Sequence, residues 1–447
     1  MKNLLKVILF SFFLLLPITA NANTLDEIKS IIKTDYVGKI NGNLQKASSI
    51  QEVMEMLDAY STFFTASEFE KYVNSIEMTS VGIGVVVEKH DKGVLIKEVI
   101  KGGSAYKAGI QSGQIIVSIN GQSTVPLSIQ EATSLILGEK NTSIRLGILQ
   151  NGQTKVMTLI RQPFSLPNIT TKLLYGNVGF IHLSSFSEDA SKLVKKAFNE
   201  LKSQGATAFI LDVQDNGGGY VEAAEQLIGM FPKSPYAYKL QESTGTTVHN
   251  AIYQPTKFPK DTRVLVNRYS ASASEMLAAA LVDQKSAIIY GEKTYGKGTM
   301  QGFFELSDGS YLKLTIGKFS GPHGSIINEV GVKPHISTAT PIMTAHFDSL
   351  VSKLKNYEAL TAVKTKDGKS LTLSYSKPIA TKLPSNAIEL VALGDNTVPI
   401  KIVQNNKQLI ITPTKPLAEH AQYMLIIHPA ALKDSKAKGQ YMHITVN

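Results

Sequence analysis

The residues between Ser270 and Gln301 have the types and spacing for nucleophilic acyl transfer: Ser-Ala-Ser-Ala-Ser-Glu, an apolar interval, then Thr-Tyr-Gly-Lys-Gly-Thr-Met-Gln. A serine hydroxyl cannot attack unaided at neutral pH, but a neutral lysine amine within hydrogen-bond reach can take its proton. Ser272 is placed to be such a nucleophile and Lys297 such a base. Moving a lysine from about 10.4 toward neutrality corresponds to roughly 4 to 5 kcal/mol, which desolvation in an apolar pocket can supply. On this segment alone, Ser270, Ser272 and Ser274 could equally cap a helix while Lys297 faces water.

The intervening elements decide whether the two can meet. Ala271 to Val282 is a strong helix-forming stretch, and Ala287 to Tyr290 is a short apolar strand ended by Gly291. A helix followed by such a strand returns Lys297 to the start of the helix. A serine there also sits beside unpaired backbone N–H groups and the positive end of the helix dipole, which favour an oxyanion.

Val264-Leu-Val-Asn-Arg-Tyr-Ser-Ala-Ser-Ala-Ser-Glu275 and Gly291-Glu-Lys-Thr-Tyr-Gly-Lys-Gly-Thr-Met-Gln301 resemble the C-terminal processing peptidases, or tail-specific proteases. The resemblance runs on through a hairpin turned at Asp308-Gly309 and a closing Gly331-Val-Lys-Pro334. It implies that Ser272 is the nucleophile, Lys297 the general base and Gln301 the residue orienting the lysine. It also implies an α/β multidomain chain whose protease core has the crotonase-like (ClpP/crotonase) fold.

Upstream, the apolar run Ala206 to Val213 ends in Gln214-Asp-Asn-Gly-Gly-Gly219 and passes into a helical stretch, Tyr220 to Met230. Glycines let backbone amides approach a developing charge, so the Gly218 amide with the Ala273 amide could form an oxyanion hole. The family usually carries Arg-Asn-Asn-Pro-Gly-Gly here, and Gln214, Asp215 and Gly217 depart from it. A phosphate-binding loop is disfavoured, because neither a following Gly-Lys-Ser/Thr nor an acidic ribose partner is present. Gly179 to Phe186 reads as another strand, and Leu193, Val194, Ala197, Phe198 and Leu201 as a helix ended by Gly205.

Residues 79–163 form a different unit, with Val81-Gly-Ile-Gly-Val-Val-Val87, Gly103 to Ile110, Gly113 to Gly121 and a helix near Ser128 to Leu137. This succession resembles a PDZ domain, in which a peptide adds as a strand and loop amides capture its terminal carboxylate. The resemblance places that loop at Gly82, Ile83 and Gly84, with Val85, Ala132 and Leu135 shaping the pocket. At the end of this unit the family places an arginine that couples PDZ position to the catalytic lysine and glutamine. Arg161 is then a gating residue, or else an arginine at a strand end in water.

Residues 1–22 carry Lys2 and Lys6, an apolar stretch from Val7 to Leu16, Pro17 and Ala20-Asn-Ala22, the pattern of a secretory signal cleaved after Ala22. Export to the periplasm or beyond is the expectation. The formal charge of +10 falls to +8 without those lysines and forms no basic block, so nucleic acid is not an expected partner. The absence of cysteine excludes disulfides and a cysteine nucleophile. The nine histidines include no His-Glu-x-x-His, so no metal is expected, and Ser-Lys hydrolysis needs no cofactor. His182 and His323 could approach the site in space.

The remaining units are a helical N-terminal region (23–78), the protease core (164–340), a helical connector and linker (341–368) and an immunoglobulin-like β domain (369–447). Within the first, Leu57-Asp-Ala-Tyr-Ser-Thr-Phe-Phe64 resembles the family, with Ala59 where a proline is usual. That region packs on the core or mediates a homodimer. The function implied is an exported serine endopeptidase acting near protein C-terminal tails, with an activator or adaptor protein as a further partner. The alternatives are a catalytically silent PDZ scaffold and an acyl-CoA enzyme of the crotonase type; export away from CoA argues against the second.

Overall fold

The computed structural model describes residues 24–365, 369–375, 383–384, 386–405, 407–432 and 438–446. The expected signal segment lies outside the described residues, as does part of the linker. Among the described residues, no helix is long and apolar enough to cross a membrane.

The segments that carry Ser272 and Lys297 sit on a six-stranded sheet in the order Ile169–Leu174, Val178–Leu183, Ala208–Asp212, Arg263–Val266, Ile288–Gly291, Ile336–Ser337. All neighbours pair parallel except the first two. The apolar runs Ala208–Asp212 and Arg263–Val266 are buried almost throughout, as a sheet covered on both faces requires. Helices Ala190–Ser203, Val221–Ile228 and Ala273–Asp283 pack on one face around Phe186, Phe209, Leu227 and Leu277. Helix Pro341–Lys353 covers the other through Ala345 against Leu174, Ile210 and Leu265.

A second sheet flanks the site, with strands Thr299–Glu305 and Tyr311–Ser320 forming the expected hairpin. Leu306 N–H donates to Ser310 O at 2.8 Å across the turn, and Gly309 takes φ +80°, which a glycine adopts without steric cost. Strand Thr62–Phe64, from the N-terminal region, adds to the free edge of Tyr311–Ser320. Helix Thr24–Asp35, earlier in the chain, buries Ile28 and Ile32 against Leu312 and Leu314. The N-terminal region holds helices Thr24–Asp35, Ile50–Glu55 and Ala66–Ile76 beside that strand and so packs on the core.

Between these parts of the core the chain leaves and returns through paired strands, Thr79–Gly82 against Gln162–Ser165. The unit they bracket has a six-stranded sheet and the helix Ile129–Ile136, closed over Ile83, Ile96, Ile116, Ala132 and Leu146. The C-terminal strands form a six-stranded and a three-stranded sheet around Leu390, Leu409, Ile411 and Leu425. This β unit is tied to the core by Lys172–Asp395 at 2.8 Å, by Tyr175 N–H to Asp395 O at 3.0 Å and by Gly394 N–H to His346 Nδ1 at 2.9 Å.

Candidate active site

Three serines cluster at the start of one helix, and their hydrogen bonds separate them. Ser270 Oγ donates to Val213 O at 2.7 Å and Ser274 Oγ to Asn216 O at 2.8 Å, and both side chains are fully buried. These two hydroxyls tie the start of the helix to the glycine loop. Ser272 faces a cavity of about 330 Å³ that it shares with Lys297, Gln301, Gly218 and Ala273. Its backbone is strained: φ is +57° and ψ −113°, outside the left-handed region a non-glycine residue tolerates. Such a conformation costs on the order of 1 to 3 kcal/mol and persists only where the surroundings hold it.

Glu275 supplies that hold. Its carboxylate is fully buried and accepts Ser272 N–H at 3.0 Å, Lys297 N–H at 2.8 Å, Gly296 N–H at 2.6 Å and Thr294 Oγ1 at 2.6 Å. One side chain thus fixes the backbones of both Ser272 and Lys297. The sequence reading passed over it, although Ser-x-x-Glu before an apolar helix is a capping signal that could have drawn it out.

Lys297 rises into the cavity with no hydrogen-bond partner for its Nζ among the described residues, 5.3 Å from the centre of the Tyr60 ring. Burial, followed by the positive charge of Lys313, pushes its amine down to about 8, while Glu275 and Asp58 pull the other way. Gln301 stands where the pairing slips, between Met300 opposite Gly317 and Gln301 opposite Thr315, with Ile316 the extra residue on the partner strand; its Nε2 donates to Thr299 Oγ1 at 2.9 Å and Thr315 Oγ1 at 3.2 Å. Bulges re-aim side chains beside active sites.

The glycine loop presses against Ser272. A Cβ on Gly218, whose φ is +106°, would lie 2.8 Å from Ser272 Cβ and 3.0 Å from Ala273 N. Gly218→Ala is therefore expected to displace Ser272 and reduce peptide hydrolysis at least roughly a hundredfold, as a misplacement near 1 Å does; steady-state kcat/KM on a folded variant checks it. The Ala273 N–H is unpaired among the described residues, as an oxyanion donor must be. The Gly218 N–H is occupied in this conformation, donating to Asn216 Oδ1 at 2.9 Å, while Asn216 Nδ2 donates to Leu183 O at 2.9 Å. Gly219 bridges Phe186 through its neighbours, since Phe186 N–H donates to Gly218 O and Tyr220 N–H to Phe186 O.

The departures from the family's loop are accommodated. Asp215, with φ +59°, exchanges hydrogen bonds with the Asn267 side chain at 3.0 and 2.8 Å. Gln214 N–H donates to Asp212 Oδ1 at 2.9 Å, and Asp212 Oδ2 lies 3.4 Å from His182 Nδ1, an arrangement that raises the His182 imidazole above its ordinary value. His182 and His323 do not line the cavity; His323 instead binds Asp283. Among the described residues no cluster could hold a metal ion.

Arg161 is neither at a strand end in water nor beside the catalytic pair. It is 8 % exposed and latched inside its own unit, donating from Nη2 to Leu135 O at 2.8 Å and from Nε to Ile136 O at 3.0 Å. Two bonds from Nη1, to Thr142 Oγ1 and Ser143 O, each at 3.1 Å, complete the set. None of these bonds reaches Lys297 or Gln301; the bonds to Leu135 O and Ile136 O cap the C-terminus of helix Ile129–Ile136, and those to Thr142 and Ser143 tie it to the start of the next strand. At the expected carboxylate loop, Ile83 is fully buried and Gly84 takes φ +76°. Gly84 O accepts Ile100 N–H, and the Ile83 and Gly84 N–H groups are unpaired among the described residues. Gly82 ends its strand opposite Gln162, and Val85 and Leu135 pack half-buried on the core of the unit, in which Ala132 is fully buried.

Part of the cavity comes from a region that no local pattern in the sequence points to. Tyr72, Ser75, Ile76 and Met78, from helix Ala66–Ile76 and the turn after it, line it together with Met276 and Met300. Only long-range packing brings them there; Phe69 stacks on Tyr311 at 3.9 Å and Tyr72 meets Phe303 at 5.7 Å.

Comparison with known proteins gives three domain matches: peptidase family S41 over residues 177–338, a PDZ domain over 95–150 and a bacterial Ig-like domain over 357–445. The carboxy-terminal processing protease CtpA of Bacillus subtilis is 33% identical over 313 residues, covering 69% of this chain and 67% of the relative. A CtpA-like serine protease of Staphylococcus aureus is 31% identical over 326 residues, covering 72% and 66%. The chain thus spans about two thirds of the length of these relatives. A solved structure from Bacteroides fragilis, named there as a candidate S41 protease, superposes with a TM-score of 0.50 at 18% identity, covering 73% of this chain and 91% of its own.

Proposed function

The chain belongs to peptidase family S41, and from that premise we propose an exported serine endopeptidase that binds protein C-terminal tails at its PDZ domain and cleaves nearby peptide bonds by a Ser272–Lys297 dyad. The convergence of Ser272, Lys297, Gln301 and Ala273 on one cavity carries this reading. A crotonase-like core is the fold reading that accompanies it.

In the proposed cycle the neutral Lys297 amine takes the Ser272 Oγ proton as the oxygen attacks the scissile carbonyl. The Ala273 N–H and a glycine-loop amide receive the oxyanion, and Gly218 can serve only when Asn216 releases it. Lys297 then gives the proton to the leaving amine, and the new N-terminus departs. Water, deprotonated by Lys297, hydrolyses the ester and restores the hydroxyl. Gln301 is one reach along the strand from the lysine, and its Oε1 is the atom left to accept from the amine.

The protonation state sets the pH profile. Because the base form of Lys297 is the active one, kcat/KM is expected to fall tenfold per pH unit below about 8 and to level off above it. A profile flat through this range would remove Lys297 from the role of base.

Tail recognition is tested with an unstructured protein ending in an apolar residue, offered with its C-terminal carboxylate free or amidated. The free form is expected to be cleaved about tenfold faster, the value of one charge-assisted contact of roughly 1.4 kcal/mol. Equal rates would leave a peptidase without carboxylate recognition. The observation favouring recognition is the pair of unpaired amides at Ile83 and Gly84.

A further inference from the structure

The loop Asp58–Ser61 comes from the N-terminal region, more than two hundred residues before the lysine, and still reaches both halves of the base assembly. Asp58 Oδ1 accepts Tyr60 N–H at 3.0 Å, Ser61 N–H at 2.9 Å and Ser61 Oγ–H at 3.1 Å, folding the loop into a tight turn. Asp58 N–H donates to the Tyr36 hydroxyl at 2.8 Å, and Val37 N–H donates to Thr315 O at 3.1 Å, which anchors the turn from behind. From it Ser61 Oγ, nearly fully buried, accepts Thr315 N–H at 3.2 Å. The side chain of that same Thr315 accepts the Gln301 amide at Oγ1. The neighbouring side chain, Tyr60, lays its ring over the Lys297 Nζ at 5.3 Å.

We propose that Tyr60 is a positioning residue for Lys297: its ring, held by the Asp58 turn, covers the side of the amine away from the nucleophile and excludes water from it. This rests on Lys297 being the base. The groups facing Lys297 from the elements around it are Glu275 from the nucleophile helix, Lys313 from the neighbouring hairpin and Asp58 from the turn itself. Tyr295 flanks the other side of the Tyr60 hydroxyl. Two of these, Glu275 and Asp58, favour the charged lysine, so the neutral amine depends on exclusion of water and on Lys313. A ring face attracts a cation weakly at such a site, and removing it exposes the amine to water, whose stabilisation of the charge is the larger effect.

The test measures kcat/KM against pH for the parent, Tyr60→Phe, Tyr60→Ala and Tyr60→Gln, the last filling the space with a hydrated side chain. Tyr60→Phe keeps the ring and is expected to keep the midpoint of the parent. Tyr60→Ala and Tyr60→Gln are expected to move it upward by about one unit, a tenfold loss at neutral pH that recovers in alkali. A second reading needs no turnover: NMR titration of the Lys297 amine in a Ser272→Ala background, with and without Tyr60→Gln, should show the same upward shift. An unchanged or lowered titration midpoint in folded Tyr60→Gln overturns the proposal. If Lys297→Ala hydrolyses peptides at the parental rate, the base reading fails instead, whatever the Tyr60 titration shows.

Discussion

Ser272→Ala and Lys297→Ala are each expected to reduce peptide hydrolysis on the order of ten-thousandfold or more, and the double variant is expected to be no worse than either. Residues that act as one unit lose the whole step when either is removed. The geometry argues for such a unit, because the two side chains share a cavity and their backbone amides share one carboxylate. Ser270→Ala and Ser274→Ala make the contrast. Those hydroxyls bind Val213 O and Asn216 O, so their loss should act on the stability of the loop and not on the chemical step. Single-turnover rates separate the two classes. Additive losses in the Ser272, Lys297 double variant would show that the residues work independently.

The second large effect is expected at Glu275. Replacing it by alanine leaves the Ser272, Gly296 and Lys297 N–H groups and the Thr294 hydroxyl without the fully buried acceptor they share. An unsatisfied buried donor costs about 1 to 3 kcal/mol, so several together should cost roughly 3 kcal/mol or more. The loss should be local, because the four donors belong to the nucleophile elbow and the lysine loop. Hydrogen exchange at the Gly296 and Lys297 amides should accelerate, while Ala208–Asp212, in the middle of the sheet, stays protected. Activity should fall at least about a hundredfold in the folded fraction, since a misplacement near 1 Å is enough for that. Normal exchange at both amides, with normal rates, would remove Glu275 from its organising role.

The parts of the site legible in the sequence were those built by local structure. Helix-forming residues after Ser272 and a short apolar strand before Lys297 force the chain back on itself within thirty residues, and the observed helix Ala273–Asp283 and strand Ile288–Gly291 do this. The Asp308-Gly309 turn was readable for the same reason. Contacts from elsewhere in the chain were not. Tyr60, Tyr72 and Met78 reach the site only because strand Thr62–Phe64 pairs with Tyr311–Ser320, a pairing no local pattern announces. The state of individual hydrogen bonds was equally out of reach: that Asn216 takes the Gly218 N–H, and that Arg161 caps a helix in its own unit, depends on side-chain conformations. Asp215 and Gln214 departed from the family's loop, and their compensation by Asn267 and Asp212 became visible only when strands Ala208–Asp212 and Arg263–Val266 were paired.

The covalent intermediate tests the central claim most directly. The protein is mixed with an activated ester of an apolar peptide, quenched in acid before turnover, digested, and weighed. The account predicts one added acyl group on the peptide containing Ser272, absent in Ser272→Ala and strongly reduced in Lys297→Ala. An acyl group on another residue, or hydrolysis that persists in Ser272→Ala, would contradict it.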